Sequence, residues 1–132
     1  MILLDTHVAV WFVTNTKFGK RTMTIVDAAQ AEARLAVSAI SFWEIALLVA
    51  RRRLRAIRSA AEQRTKILTA GMIELPLTGE IAVLAGELES LHGDPADRFI
   101  AATAIVHDAT LVTADEKLLR WRHSVRRQNA KL

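Results

Sequence analysis

The chain has 132 residues, 52% of them hydrophobic, no cysteine and a formal net charge of +4. That length suits one domain with a core of its own, and the apolar content excludes a disordered chain. The missing cysteine excludes disulfides, thiolate zinc sites and a cysteine nucleophile, and no apolar run approaches the roughly 20 residues of a membrane span.

Met1-Ile2-Leu3-Leu4 has no basic start and no long apolar stretch, so it is not read as a signal peptide, and a cytoplasmic location is expected. Ile2-Leu3-Leu4 reads as a short buried strand that ends at Asp5. A helix is predicted over Thr6 to Asn15 and another over Lys20 to Ala33, with Asp27, Gln30 and Arg34 facing outward. Leu35 to Ile40 reads as a second strand. Ser41-Phe42-Trp43-Glu44 has the spacing of a capping box, in which a serine hydroxyl and a glutamate satisfy free amides at a helix start. The helix it opens is predicted to reach Arg53. A further helix is predicted from Ser59 to Ala70, closed by Gly71.

Ile73 to Leu77 reads as a strand, placed towards the sheet edge by Pro76. Thr78 caps a helix expected to reach Leu91. His92-Gly93-Asp94-Pro95 reads as a turn, and Pro95 suits the first position of a helix reaching His107. Thr110 to Thr113 is a strand and Asp115 to Trp121 a short helix. Residues from about 122 to 132 have weak periodicity and are expected to be loose, with a last strand missing or very short. Strands alternate with helices throughout. The expected fold is a single α/β domain, residues 1–132, with a small, mainly parallel sheet flanked by helices on both faces. The predicted helical hairpin over residues 41–70 is expected to form one wall of a cleft.

Parallel sheets place ligands beyond the carboxyl ends of their strands. Asp5 and Asp115 follow strands, and Glu44 and Asp97 fall in predicted first helical turns, so all four could converge on one cleft. Taken singly, each also reads as a helix cap or as an acid favoured by the helix dipole. As a set they read differently. Carboxylates crowded together raise each other's pKa, and a divalent cation relieves that repulsion. Mg²⁺ or Mn²⁺ takes oxygen ligands and supports attack of water on a phosphodiester, with no need for cysteine or histidine.

Four blocks carry a resemblance. They are Leu3-Leu4-Asp5-Thr6-His7 with Trp11; Val37 to Ala46; Leu91 to Arg98 with Ile100-Ala101-Ala102; and Leu111 to Asp115. In this order they resemble the PIN-domain family, and within it the VapC-type toxins of VapBC toxin–antitoxin pairs. The resemblance spans essentially the whole chain. It implies an endoribonuclease that uses Mg²⁺ or Mn²⁺ and cuts single-stranded regions of RNA, often tRNA or rRNA. It implies a homodimer and a cognate antitoxin protein that blocks the site. The acids matching its catalytic and metal-binding set are Asp5, Glu44, Asp97 and Asp115. Thr6 and Thr113 match supporting hydroxyls, and Asp94 reads first as a helix cap. Two features depart from the pattern. Arg51-Arg52-Arg53 stands where relatives often end the helix with glycine, and the C-terminal tail lacks a clear apolar strand.

Residues 51–58 carry five arginines, and residues 120–132 carry four arginines and one lysine, with no acid in either segment. The rest of the chain holds 8 basic and 14 acidic residues. Arg51, Arg52, Arg53, Arg55 and Arg98 are candidate RNA contacts, since basic patches steer polyanions. A solvated helix face is the plainer reading. Trp11 and Trp43 lie in apolar helical stretches and are expected to pack, whereas Trp121 lies between Arg120 and Arg122. No histidine pair has zinc spacing. His7 is close enough in sequence to Asp5 to reach RNA. The alternative function is a catalytically inactive relative that binds RNA or a partner. An aspartyl phosphotransfer site at Asp5 would want a second aspartate where His7 stands.

Overall fold

The first apolar residues after Met1 set the centre of the molecule, because Ile2–Leu4 forms β1 with two strands on either side of it. The structure is a computed structural model that describes residues 1–16, 18–54, 57–91 and 93–132. Chain order runs β1, α1 (Thr6–Val13), α2 (Lys20–Ala31), β2 (Leu35–Ser38), α3 (Ala39–Ala50) and α4 (Ala60–Thr69). It continues with β3 (Ile73–Leu75), α5 (Gly79–Glu87), α6 (Pro95–Val106), β4 (Thr110–Thr113), α7 (Glu116–Arg120) and β5 (Arg127–Asn129).

The sheet order is β3-β2-β1-β4-β5, and every pairing is parallel. Leu4 stands level with Val37 of β2 and Val112 of β4. Side chains alternate between faces along each strand, and here both faces are covered. Leu3, Ala36 and Leu111 pack with Ile100 and Ala104 of α6 and Leu118 of α7. Leu4, Val37 and Val112 pack on the other face with Val8 of α1, Val26 of α2 and Ile67 of α4. That two-sided burial is why these strands read as continuous apolar runs. The expected α/β fold with helices on both faces is what the chain adopts.

Most element ends fall within two residues of the expected ones, and the exceptions have local causes. β2 stops at Ser38, whose hydroxyl accepts from the Ile40 amide and caps α3. Ser41, read as that cap, instead accepts from the Thr6 hydroxyl at 2.8 Å. Glu44 therefore lies in the second turn of α3, not the first. The helix from Thr78 ends at Glu87, where Arg98 draws in carbonyls of the last turn and beyond: Ala85, Leu88 and Leu91 all accept from its guanidinium at 2.6–2.8 Å. The last strand, β5, is three residues long and pairs with β4. α3 ends without a glycine. Arg52 supplies the left-handed turn instead, at φ 55°, a conformation that costs a side chain about 1 kcal/mol.

Candidate active site

Chain direction reverses its build-out between β1 and β4: β2 and β3 are laid on one side of β1, β4 and β5 on the other. The carboxyl ends of strands at such a switch leave a crevice. Five carboxylates line a concavity of about 520 Å³ there: Asp5, Glu44, Asp94, Asp97 and Asp115. The structure therefore brings together all four acids picked from the sequence. His7, Trp11, Ala114, Lys117 and Lys131 complete the lining.

The five acids are not held alike. Asp94 and Asp115 behave as helix caps, accepting from the Ala96 amide at 2.9 Å and the Lys117 amide at 2.7 Å. Asp5 is only 7% exposed. Its Oδ1 accepts from the neighbouring Thr6 amide at 2.8 Å, and its Oδ2 accepts from the Thr113 hydroxyl at 2.7 Å. Thr113 in turn accepts from the Asp115 amide at 3.0 Å. A continuous line of hydrogen bonds thus ties the end of β4 to the end of β1. Asp97, in the first turn of α6, is buried at 9% exposure, and no hydrogen bond reaches its carboxylate among the described residues. The α6 dipole favours an acid at Asp97, but unlike the caps its carboxylate lines the pocket with no donor among the described residues.

The electrostatics follow from that difference. Burial pushes the Asp97 carboxyl up to about 7, with Asp5, Asp115, Glu44 and Asp94 adding their repulsion. Burial also raises Asp5, against the opposing hydrogen bonds from Thr113 and Thr6. Glu44 is raised by burial, with Asp5 and Asp94 adding to it and the Thr6 hydroxyl opposing. Groups arranged so that their charged forms disfavour one another are a site that wants a cation. The donors are all hard oxygens, which fits Mg²⁺ or Mn²⁺ and not zinc. Among the described residues, no group of three or more acids or histidines stands close enough together to hold a metal ion by itself.

Several candidates lie elsewhere. Arg51, Arg52 and Arg53 are exposed and line no part of the acidic pocket. Arg51 lies seven steps along α3 from Glu44, roughly 10 Å at 1.5 Å per residue. Arg55 lies outside the described residues. Arg98 is committed to the α5 carbonyls. Of the helical hairpin, α3 lines the pocket through Glu44, while α4 does not. Trp11 packs against the core as expected, but Trp43 does not. Trp43 is 48% exposed and Trp11 lines the pocket, whereas Trp121 is buried at 4%, with its ring nitrogen donating to the Glu89 carbonyl at 2.8 Å. Lys117 and Lys131 were not singled out in the sequence; a lone lysine in a short helix or a patternless tail carries no signal.

A second concavity, about 1130 Å³, lies between α1, α2 and α4 and is lined by Phe12, Val13, Phe18 and Met23 among others. It holds no cluster of acids.

The PIN-domain family profile matches residues 2–123. The chain belongs to the PIN-domain family. Ribonuclease VapC22 of Mycobacterium tuberculosis (strain ATCC 25618 / H37Rv) is 37% identical to this PIN domain over 127 residues, covering 92% of each chain. Among solved structures, VapBC2 from Rickettsia felis bound to a promoter DNA fragment is similar in fold, with a TM-score of 0.71 at 20% identity over 98% of both chains. DNA-bound VapBC from Salmonella typhimurium is likewise similar, with a TM-score of 0.68 at 15% identity over 96% of both chains. No helix among the described residues is long and apolar enough to cross a membrane.

Proposed function

We propose that this PIN domain is the toxin of a toxin–antitoxin pair, an endoribonuclease that hydrolyses phosphodiester bonds in single-stranded regions of RNA such as tRNA or rRNA. The observation that carries the reading is Asp97: a carboxylate with no hydrogen-bond donor among the described residues, raised to about 7 by burial and then by the acids around it, in a relative of a ribonuclease. Asp5, Glu44, Asp97 and Asp115 would hold Mg²⁺ or Mn²⁺. When bound, the ion supplies positive charge for the phosphodiester and a more acidic water. Thr113 fixes the Asp5 carboxylate, and Thr6 ties the start of α1 to Ser41 of α3 beside Glu44. The antitoxin is read as blocking the acidic pocket and extending onto the apolar groove between α1, α2 and α4, with the toxin acting as a homodimer in the cytoplasm.

Purified protein incubated with total bacterial RNA tests this. Discrete fragments are expected with Mg²⁺ or Mn²⁺, none with EDTA, and none from Asp5→Asn. The open spacing of the acids is also what an inactive RNA-binding relative would show. RNA bound but uncut under either metal would favour that second reading.

A further inference from the structure

Five carboxylates repel a phosphodiester as strongly as they attract a cation, so the substrate needs its own electrostatic foothold. Arg51, Arg52, Arg53 and Arg58, the described arginines of the run at 51–58, do not line the pocket. Two lysines do. Lys117 of α7 and Lys131, two residues beyond β5, are the lysines that line the acidic pocket, and both are exposed. Both come from the β4–β5 side of the sheet, opposite the side from which α3 delivers Glu44.

Neither ammonium is neutralised. Among the described residues, no carboxylate oxygen lies within 4.0 Å of either one, although five acids share their pocket. If these lysines existed to offset the acids, they would be paired with them. Gly93 stands beside both kinds of group: a side-chain carbon there would make ordinary contact with the Asp97 Oδ2 at 3.5 Å and the Lys117 Nζ at 3.6 Å, and its φ of +139° favours glycine.

Lys131 is placed by its backbone. Its amide donates to the Asn129 Oδ1 at 3.0 Å, and Ala130 donates to the Thr113 carbonyl at 2.9 Å, beside the Thr113 hydroxyl that holds Asp5. The tail is fastened across the start of α2, with Gly19 donating to Ala130 and Arg21 to Leu132 at 3.0 and 2.9 Å. Gly19 must be glycine for this, because a Cβ there would come within 2.0 Å of the Leu132 backbone.

We infer that Lys117 and Lys131 form a phosphate-binding rim on the β5 side of the acidic pocket, which seats the backbone of the RNA strand against the carboxylates. This rests on the ribonuclease reading above. Lysines that bind the phosphate in the ground state hold the substrate and change KM more than kcat.

The test measures binding of a fluorescein-labelled, mixed-sequence, single-stranded RNA in EDTA against salt, and then steady-state cleavage with Mn²⁺. Each lysine-to-alanine change should lower the log–log salt slope by about 0.7, the value of one phosphate contact on a single strand. Lys117→Ala and Lys131→Ala should each raise KM about 3- to 10-fold with kcat within about twofold. Lys117→Arg and Lys131→Arg should restore the slope. Gly19→Ala, which displaces the tail without touching the pocket, should reproduce the Lys131→Ala effect and leave that of Lys117→Ala additive to it. An unchanged salt slope in a Lys117→Ala/Lys131→Ala protein that still cuts RNA overturns the rim and leaves the nuclease intact. A wild-type protein that neither binds nor cuts the RNA overturns both.

Discussion

The two concavities of this domain are opposites. The larger, about 1130 Å³, is floored by Phe12, Phe18 and Met23, whereas the smaller, about 520 Å³, is lined by five carboxylates. Size picks out the apolar groove, but the chemistry lies in the acidic pocket. An apolar groove needs only surface, and it gains from a partner that covers it. The acidic pocket holds charge that folding alone would avoid: Asp97 is buried without a donor, and the repulsion of its neighbours is left standing. Structure kept against its own stability is the better mark of function.

Four changes would break or sharpen that contrast. The largest effect is expected from Asp97→Asn. It should cut RNA cleavage by about 10³-fold, or about 4 kcal/mol of barrier, while the metal-free protein melts higher because a disfavoured buried charge is gone. A variant that cleaves at the wild-type rate would remove Asp97 from the site. In the other concavity, Met23→Glu should leave cleavage within twofold and weaken capture of the cognate antitoxin by about 10- to 100-fold, measured by titration calorimetry. Equal loss of cleavage would show that the two surfaces are not separate.

The pocket alone should make stability depend on pH in this way. The Asp97 carboxyl lies near 7 in the folded chain against 3.8 for a free one, so between those values the folded protein holds more protons than the unfolded. Metal-free stability should therefore fall as pH rises through that window, by on the order of 2 kcal/mol once the pocket's open side is allowed for, and level off above it. Asp5 and Glu44, also raised, act in the same direction. Saturating Mn²⁺ should reverse the trend, and Asp97→Asn should flatten it; a melting curve that rises with pH without metal would contradict it. The smallest effect lies outside both concavities. Arg52→Gly, at φ 55°, should raise stability by about 0.5–1 kcal/mol in urea unfolding, with cleavage unchanged.

Much of the fold could be read from the chain because its signals are local. Ile2–Leu4 and Thr110–Thr113 are apolar runs with helices on both sides, and Asp94-Pro95 and Ser59 mark helix starts that the structure places at the expected residues. The α3 start was misread because Ser38 and Ser41 both have the chemistry of a cap. Only the Thr6 hydroxyl, 35 residues away along the chain, decides that Ser41 faces inward. The α5 end was overrun where its carbonyls meet the Arg98 guanidinium, a contact that no local pattern reveals.

The sequence by itself determined the α/β alternation, the acids that follow strands or open helices, and the order of the four family blocks, since these depend on periodicity and residue type. The tertiary structure alone decided which acids are caps and which are left unbonded. It also decided that Arg51, Arg52 and Arg53 stand clear of the pocket, and that Lys117 and Lys131 reach it. Burial and repulsion depend on distances between elements far apart in the chain, and the folding of β1 against β4 sets those distances.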